Sequence, residues 1–383
     1  MRIGRINVYK VVLPFLDEFA HSLRQRKSTK NIVVEVISNE NGVNGYGEGA
    51  PRTYVTGEAQ ENAADSVKDL IERYNFPWDL DDVNQIWDYV DGLPEEKDYN
   101  SAICAIETSL LDALARGQNR RVLDYFFSDF FINTINYGAA IPLGSEKRVI
   151  EIYRLIKKME VKKLRIKMGK DLEENSNKIE AVRNIFGDNY DLRIDVNGAW
   201  DRELAFSHIP LIKKHKIKVV EQPFSPDDPD ISEFAREMRM CGVILMADEL
   251  ACTKRDVEEI IKNGYYCMIN VRLSKCGGFR RSLNIIDLIR SKGLSFQIGC
   301  QLGESGILSA AGRVLCLLCG DAVYYDGSYD RFLLKENITI QDVSFGIGGK
   351  TGPLDGLGLG IEVNKKALER LSDSDIITIK NPN

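Results

Sequence analysis

Long apolar runs are missing from this chain. No window reaches the ~18 uninterrupted apolar residues that a membrane helix requires, which excludes a membrane-spanning helix. The opening stretch, Met1 to Leu16, carries Arg2, Arg5, Lys10 and Pro14, so it lacks the unbroken apolar segment of a signal peptide. An excess of positive charge is missing too. Asp and Glu outnumber Lys and Arg by 57 to 51, a net charge of -6 with a pI near 5.4, so the overall field repels a polyanion and disfavours nucleic acid as the main partner. The eight cysteines form no disulfide-type pattern, and free thiols in a cytoplasm fit them better. Cys316 and Cys319 make a C-x-x-C inside an apolar helical run with no second pair or histidine beside it, which reads as a buried helix face rather than a metal or redox motif. Low-complexity linkers and long like-charge runs are also lacking.

With 383 residues, 44% of them hydrophobic and 28% charged, there is ample material for a core without disulfides. From about residue 132, short apolar strands alternate with amphipathic helical segments every ~23 to 29 residues, a β/α repeat. The strand candidates are Ile135 to Ile141, Lys163 to Met168, Asp191 to Val196, Lys218 to Gln222, Val243 to Ala247, Cys267 to Leu273, Ser295 to Gly299 and Ala322 to Tyr325. Eight such strands, with helices such as Leu172 to Phe186, Arg202 to His215 and Gly278 to Lys292 between them, fit a closed barrel better than an open sheet. Gly356-Leu-Gly358-Leu-Gly360 lies outside any strand-loop-helix unit, so it reads as a turn and a dinucleotide fold is disfavoured. Before the array, Ile3 to Leu13 and Asn31 to Ser38 read as antiparallel strands, and Glu58 to Tyr74, Val83 to Val90 and Ser101 to Ala115 as helices, the last amphipathic. The expected architecture is α/β: a modified TIM-type barrel over 126–339 behind an α+β module over 1–125, with 340–383 packing back on that module.

Barrel chemistry gathers where the strands run out, because the βα loops share one rim there. The charged residues at those ends are Lys167, Asp195, Glu221, Asp248 and, just past the sixth strand, Lys275. A single strand-end carboxylate is ordinarily a solvated charge. Three on consecutive strands, ~4.8 Å apart, would repel one another unless a cation lay between them. Oxygen donors without His or Cys favour Mg²⁺ or Mn²⁺ over zinc. Arg165 shares a face with Lys167 and is expected to penalise its ammonium form, as a general base requires. Lys275-Cys-Gly-Gly is equally readable as a polar turn opening the next helix.

Leu164-Arg-Ile-Lys-Met-Gly, Arg193-Ile-Asp-Val-Asn-Gly, Glu221-Gln-Pro, Ala247-Asp-Glu and Lys275-Cys-Gly-Gly, in this order, resemble the enolase superfamily, and more narrowly its muconate-lactonizing enzyme subgroup. The resemblance spans nearly the whole chain, with the N-terminal module similar to that family's capping domain. It implies that Asp195, Glu221 and Asp248 hold Mg²⁺, that Asn197 and Glu249 support them, and that Lys167 and Lys275 act as acid and base on opposite faces of a small carboxylate substrate. It also implies a homo-oligomer. The chemistry so implied is removal of a proton α to a carboxylate, with the cation offsetting the charge of the enediolate.

The chain departs from the family pattern in places. The subgroup's Lys-x-Lys is Arg165-Ile-Lys167 here. None of the three histidines, His21, His208 and His215, falls at a strand end, which argues against the mandelate racemase branch; His208 and His215 are expected to face solvent or helix contacts. Where dipeptide epimerases carry Asp-x-Asp, this chain reads Asp326-Gly-Ser-Tyr-Asp330, so Asp326 either meets a cationic group or closes a turn. Glu304, beyond the seventh strand, is expected at the active site. Capping loops at Phe19 to Lys27, with Arg24 and Arg26, and at Pro51 to Val55, with Arg52 and Tyr54, are expected to meet substrate. The leading expectation is a racemase or epimerase of an N-acyl amino acid or dipeptide. A cycloisomerase, or a dehydratase resembling o-succinylbenzoate synthase, shares the same first step, and a catalytically silent metal-binding barrel is the reading from another class.

Overall fold

The computed structural model describes residues 1–21, 24–39, 42–143 and 146–382, and the side chains at 18–21, 24–26 and 146–148 lie outside the description. The chain opens with β1 (Ile3–His21), β2 (Arg24–Ser38) and β3 (Asn44–Gly49), an antiparallel sheet whose β1 side chains Ile6, Val8, Val11 and Leu13 are fully buried. Three helices follow: α1 (Gln60–Arg73), α2 (Val83–Asp91) and α3 (Asn100–Gly117). The amphipathic reading of α3 is corrected, because both its faces are covered. Its polar residues work inside the protein instead: Asp112 accepts from the Tyr46 and Leu359 amides, and Glu107 from those of Phe279 and Arg280.

The stretch read as one strand from Ile135 divides into β4 (Ile135–Asn136) and β5 (Ala139–Ile141), and only β5 joins the large sheet. Then come α4 (Glu146–Lys158), β6 (Lys163–Lys167), α5 (Leu172–Phe186), β7 (Asp191–Asp195), α6 (Arg202–Ser207), α7 (Ile209–Lys214) and β8 (Val219–Glu221). The array continues with α8 (Ile231–Met240), β9 (Ile244–Ala247), α9 (Lys254–Asn263), β10 (Met268–Arg272), α10 (Phe279–Ser291), β11 (Ser295–Gly299), α11 (Gly306–Leu318) and β12 (Tyr324–Tyr325). One expected helix, Arg202 to His215, breaks at His208, with Pro210 opening the second half. His208 and His215 are buried, His208 stacking on Trp200 with ring centroids 4.0 Å apart.

Strands β5 to β12 form one eight-stranded sheet in sequence order, every pair parallel. Its two ends are joined where the Gly138 amide donates to the Tyr325 carbonyl at 2.7 Å. Leu164, Ile166, Leu192, Ile194 and Val220 face the helices and belong to the main core. Inside the barrel, Val219, Met246, Met268 and Tyr324 form a separate apolar floor. Two residues further along each of these strands, at Glu221, Asp248, Asn270 and Asp326, the interior turns polar. This layer is what positions the site.

After β12 come α12 (Asp330–Leu333), β13 (Lys350–Thr351), α13 (Lys365–Leu371) and β14 (Ile377–Lys380), which pairs antiparallel with β1. The two sheets are tied together by buried carboxylates. Glu48 of β3 accepts from the Ser305 and Leu308 amides at the start of α11, and Glu107 of α3 does the same at the start of α10, where unpaired helix N–H groups favour a negative charge. These contacts hold the first module over the C-terminal ends of the barrel strands.

Candidate active site

Alternation along β6 puts Arg165 and Lys167 on the inner face of the barrel. Lys167 pairs in register with Asp195, and Asp195 with Glu221, so these three stand side by side at the ends of β6, β7 and β8. The expectation of three acids at one height is corrected for Asp248, which lies two residues beyond Met246, the register partner of Glu221. A staggered barrel brings residues from different registers to one rim. Backbone at this rim is unusual: Asn197 and Gln222 have φ of 51° and 41°, left-handed values that non-glycine residues adopt at a cost and that cluster at functional sites.

The acids are fully buried, and side-chain cations meet each of them. Lys167 Nζ donates to Asp195 Oδ2 at 2.5 Å and to Asn197 Oδ1 at 2.9 Å. Arg165 Nη1 donates to Asp195 Oδ2 at 3.1 Å and to both oxygens of Glu221 at 3.2 and 2.9 Å. Arg272 Nη2 abuts Asp248 Oδ2, and Lys275 Nζ lies 3.1 Å from Asp248 Oδ1. Burial alone would raise the Glu221 carboxyl, but Arg165, Lys167 and Arg272 together hold it well below the usual range. Glu249 moves the other way, raised by burial and by Asp195 and Glu221 nearby.

The charge argument for a metal therefore has a second answer within the chain, since side-chain cations also offset the repulsion. Among the described residues, no group of three or more His, Cys, Asp or Glu is arranged to hold a metal. The donors nevertheless fit a hard divalent ion. Arg165 Nη1, a positive centre within 3.2 Å of three oxygens from Asp195 and Glu221, marks a point where they converge on positive charge. The buried Glu249 Oε2 has no hydrogen-bond partner among the described residues.

A cavity of about 1410 Å³, its open mouth included, lies above this layer. Lys167, Arg165, Asn197, Glu249, Glu304 and Tyr54 line it, with Asp17 from β1. Its far wall is apolar, built from Ile152, Leu155 and Ile156 of α4 with Phe332, Leu333 and Phe345. Glu304 accepts from the Gln301 amide at 2.6 Å, and burial pushes its carboxyl up to about 8.

Three sequence expectations do not reach the cavity. Asp326 is enclosed, ion-paired with Arg193 at 3.0 Å and Arg165 at 3.2 Å, so its charge orients two arginines rather than a substrate cation. Arg52 is buried, not exposed, and ties Thr29 and Asn31 to the Leu302 carbonyl. Lys275 is fully enclosed and absent from the cavity wall. Arg24 and Arg26 lie outside the described side chains. Sequence reading missed Arg272, the last residue of β10 and part of the cavity wall. Counting alternate residues from Met268 through Asn270 to Arg272 would have found it, since those three share a face.

Residues 148–367 match the family described as enolase C-terminal domain-like. The chain belongs to that family. Along its length it is 25% identical over 380 residues to a hydrophobic dipeptide epimerase of Enterococcus faecalis, covering 98% of each chain. It is 27% identical over 320 residues to an N-succinyl-L-Arg/Lys racemase of Bacillus cereus, covering 82% of this chain and 83% of the other. In structure it resembles a dipeptide epimerase of Cytophaga hutchinsonii solved with Mg and the dipeptide D-Ala-L-Val, with a TM-score of 0.85 at 23% identity, covering 99% of this chain and 100% of that one. This member of the enolase C-terminal domain-like family thus combines an eight-stranded parallel barrel with an N-terminal antiparallel sheet module.

Proposed function

We propose that this chain is a Mg²⁺-dependent isomerase that removes the α-proton of a carboxylate derived from an amino acid, as a racemase or epimerase of an N-acyl amino acid or dipeptide. One observation carries the reading: Lys167, an amine on the cavity wall, stands in register beside Asp195 and Glu221. The relatives' names supply the substrate class. Asp195, Glu221 and Asp248 would hold the ion, with Asn197 and Glu249 bracing Lys167 and the rim through the Asn197 to Glu249 bond of 2.9 Å. A bound Mg²⁺ supplies positive charge for the carboxylate oxygens as the enolate develops. Lys167 accepts the α-proton, Arg165 and Arg272 keep the surrounding carboxylates compensated, and the apolar wall excludes water from the side of the substrate that does not react.

A second reading, in which proton transfer stays on one face as in a cycloisomerase or an eliminating enzyme, is favoured by Lys167 being the one lysine amine on the cavity wall among the described residues. The test of the shared first step is incubation of N-acyl amino acids, dipeptides and cyclic carboxylates with enzyme and Mg²⁺ in D₂O. A mass gain of one unit at the α-carbon is expected for at least one compound, and its absence across the panel would defeat the proposal.

A further inference from the structure

The cavity above the strand ends does not stop at the barrel wall. Ala139 and Ala140 of β5 both line it. Successive strand residues point to opposite faces, and the register settles which is which: Ala140 pairs with Arg165, on the inner face, and Ala139 with Leu164, which faces the helices. The cavity therefore passes around β5, a strand of three residues, and opens a branch on its helix side. Two adjacent methyl groups leave room there that side chains as long as Leu164 and Arg165, their register partners on β6, would fill.

Past β5 the branch runs between α4 and the segment after β12. Ile152, Leu155, Ile156 and Met159 line one side at the i, i+3, i+4, i+7 spacing of a single helix face, Met159 directly following α4, and Leu333 and Phe345 line the other. From 152 to 159 the rise of 1.5 Å per residue gives about 10 Å of apolar wall. Ile152, Leu155 and Leu333 are only half-buried, so they present apolar surface to the open space. None of the described residues lining this branch is Lys or Arg, so an anionic end group would lose its hydration there without gaining a partner. Asp330, at the edge of the branch, is already engaged, accepting from Asn337 Nδ2 at 2.8 Å.

We propose that this branch is a substrate subsite for an extended, uncharged hydrocarbon group, and that it selects carboxylates bearing one. The inference rests on the amino-acid-derived carboxylate proposed above, whose α-proton Lys167 takes on β6, the strand next to β5. The group enters from the acylated nitrogen or from the α-carbon itself, and an octanoyl chain matches the wall in length. Each methylene that leaves water for such a wall tightens binding by about two- to fourfold.

The test is calorimetry on the Mg²⁺-loaded enzyme with two series of compounds. One lengthens the acyl group of N-acylglycines from acetyl through butanoyl to octanoyl, and the other lengthens the side chain of N-acetyl amino acids from alanine to 2-aminodecanoic acid. Affinity should climb with chain length in one series, by tenfold or more from its shortest member to its longest, and that series names the end of the substrate that enters the branch. Leu155→Trp, which fills the branch from α4, and Leu333→Trp, which fills it from the other side, should each cut the ratio of longest to shortest at least tenfold. Affinity independent of length in both series overturns the inference, as does a length dependence that survives both variants. Deuterium exchange of the same compounds separates this from the underlying reading. Exchange with flat affinities leaves α-proton removal standing without the subsite, and length-dependent binding with no exchange leaves the subsite standing without α-proton removal.

Discussion

A single nitrogen of Arg165 donates to both carboxylate oxygens of Glu221, at 3.2 and 2.9 Å, and to Asp195 as well. A divalent ion held by Asp195 and Glu221 would draw on the same oxygens, so guanidinium and metal share one pool of negative charge. Replacing Arg165 by Met leaves buried carboxylates uncompensated, a change that costs about 3–5 kcal/mol in comparable buried pairs. Urea unfolding in EDTA should register that loss, and added Mg²⁺ should recover much of it. A variant as stable as wild type in EDTA would mean that Arg165 is not what balances these acids.

Lys167 is placed to exchange a proton because it lines the cavity and is held by Asp195 and Asn197. Lys167→Ala should lower α-hydrogen exchange by about 10²- to 10⁴-fold, the usual contribution of a positioned acid or base. Mg²⁺ binding by calorimetry should persist in the same variant. Exchange at the wild-type rate would remove Lys167 from the reaction.

Lys275 should matter to stability first. Its three acceptors lie inside the protein, so Lys275→Met strands the Asp248 and Asn270 carbonyls and one side of Asp248. A loss of about 3–5 kcal/mol in chemical denaturation is expected. Neutral stability with abolished turnover would instead point to a direct role at the substrate.

Glu304 gives the chain a pH dependence of definite sign. Burial, with Glu48 adding to it, raises its carboxyl from 4.5 to about 8, so the folded protein keeps a proton that the unfolded chain releases. Its contribution to stability is complete below about 4.5 and is lost as pH climbs through about 8. Glu304→Gln stays neutral throughout. The variant should therefore gain on wild type by roughly 2–4 kcal/mol between pH 5 and 8, read from denaturation midpoints at a series of pH values. Other raised carboxyls, such as Glu107 at about 8, are common to both proteins and cancel in the difference. Parallel curves would show that Glu304 ionises normally.

The eight-strand β/α order was legible in the sequence, because short strand-like segments recur with helical segments, most of them amphipathic, between them, and both periods are local properties of the chain. The sequence also placed Lys167, Asp195, Glu221 and Asp248 at strand ends, since alternation and strand length are readable without contacts. Tertiary structure alone decided what those charges meet. Whether Lys275 reaches the cavity depends on the carbonyls of Asp248 and Asn270, which come to it from a neighbouring strand end and from its own. Whether Asp326 greets a substrate depends on Arg193, 133 residues away in the chain. Gly299 shows the same limit, as a Cβ there would fall 2.3 Å from Asn270 Oδ1 on the adjoining strand. A charged side chain goes where its partners are, and barrel closure brings those partners from strands that lie far apart in the sequence.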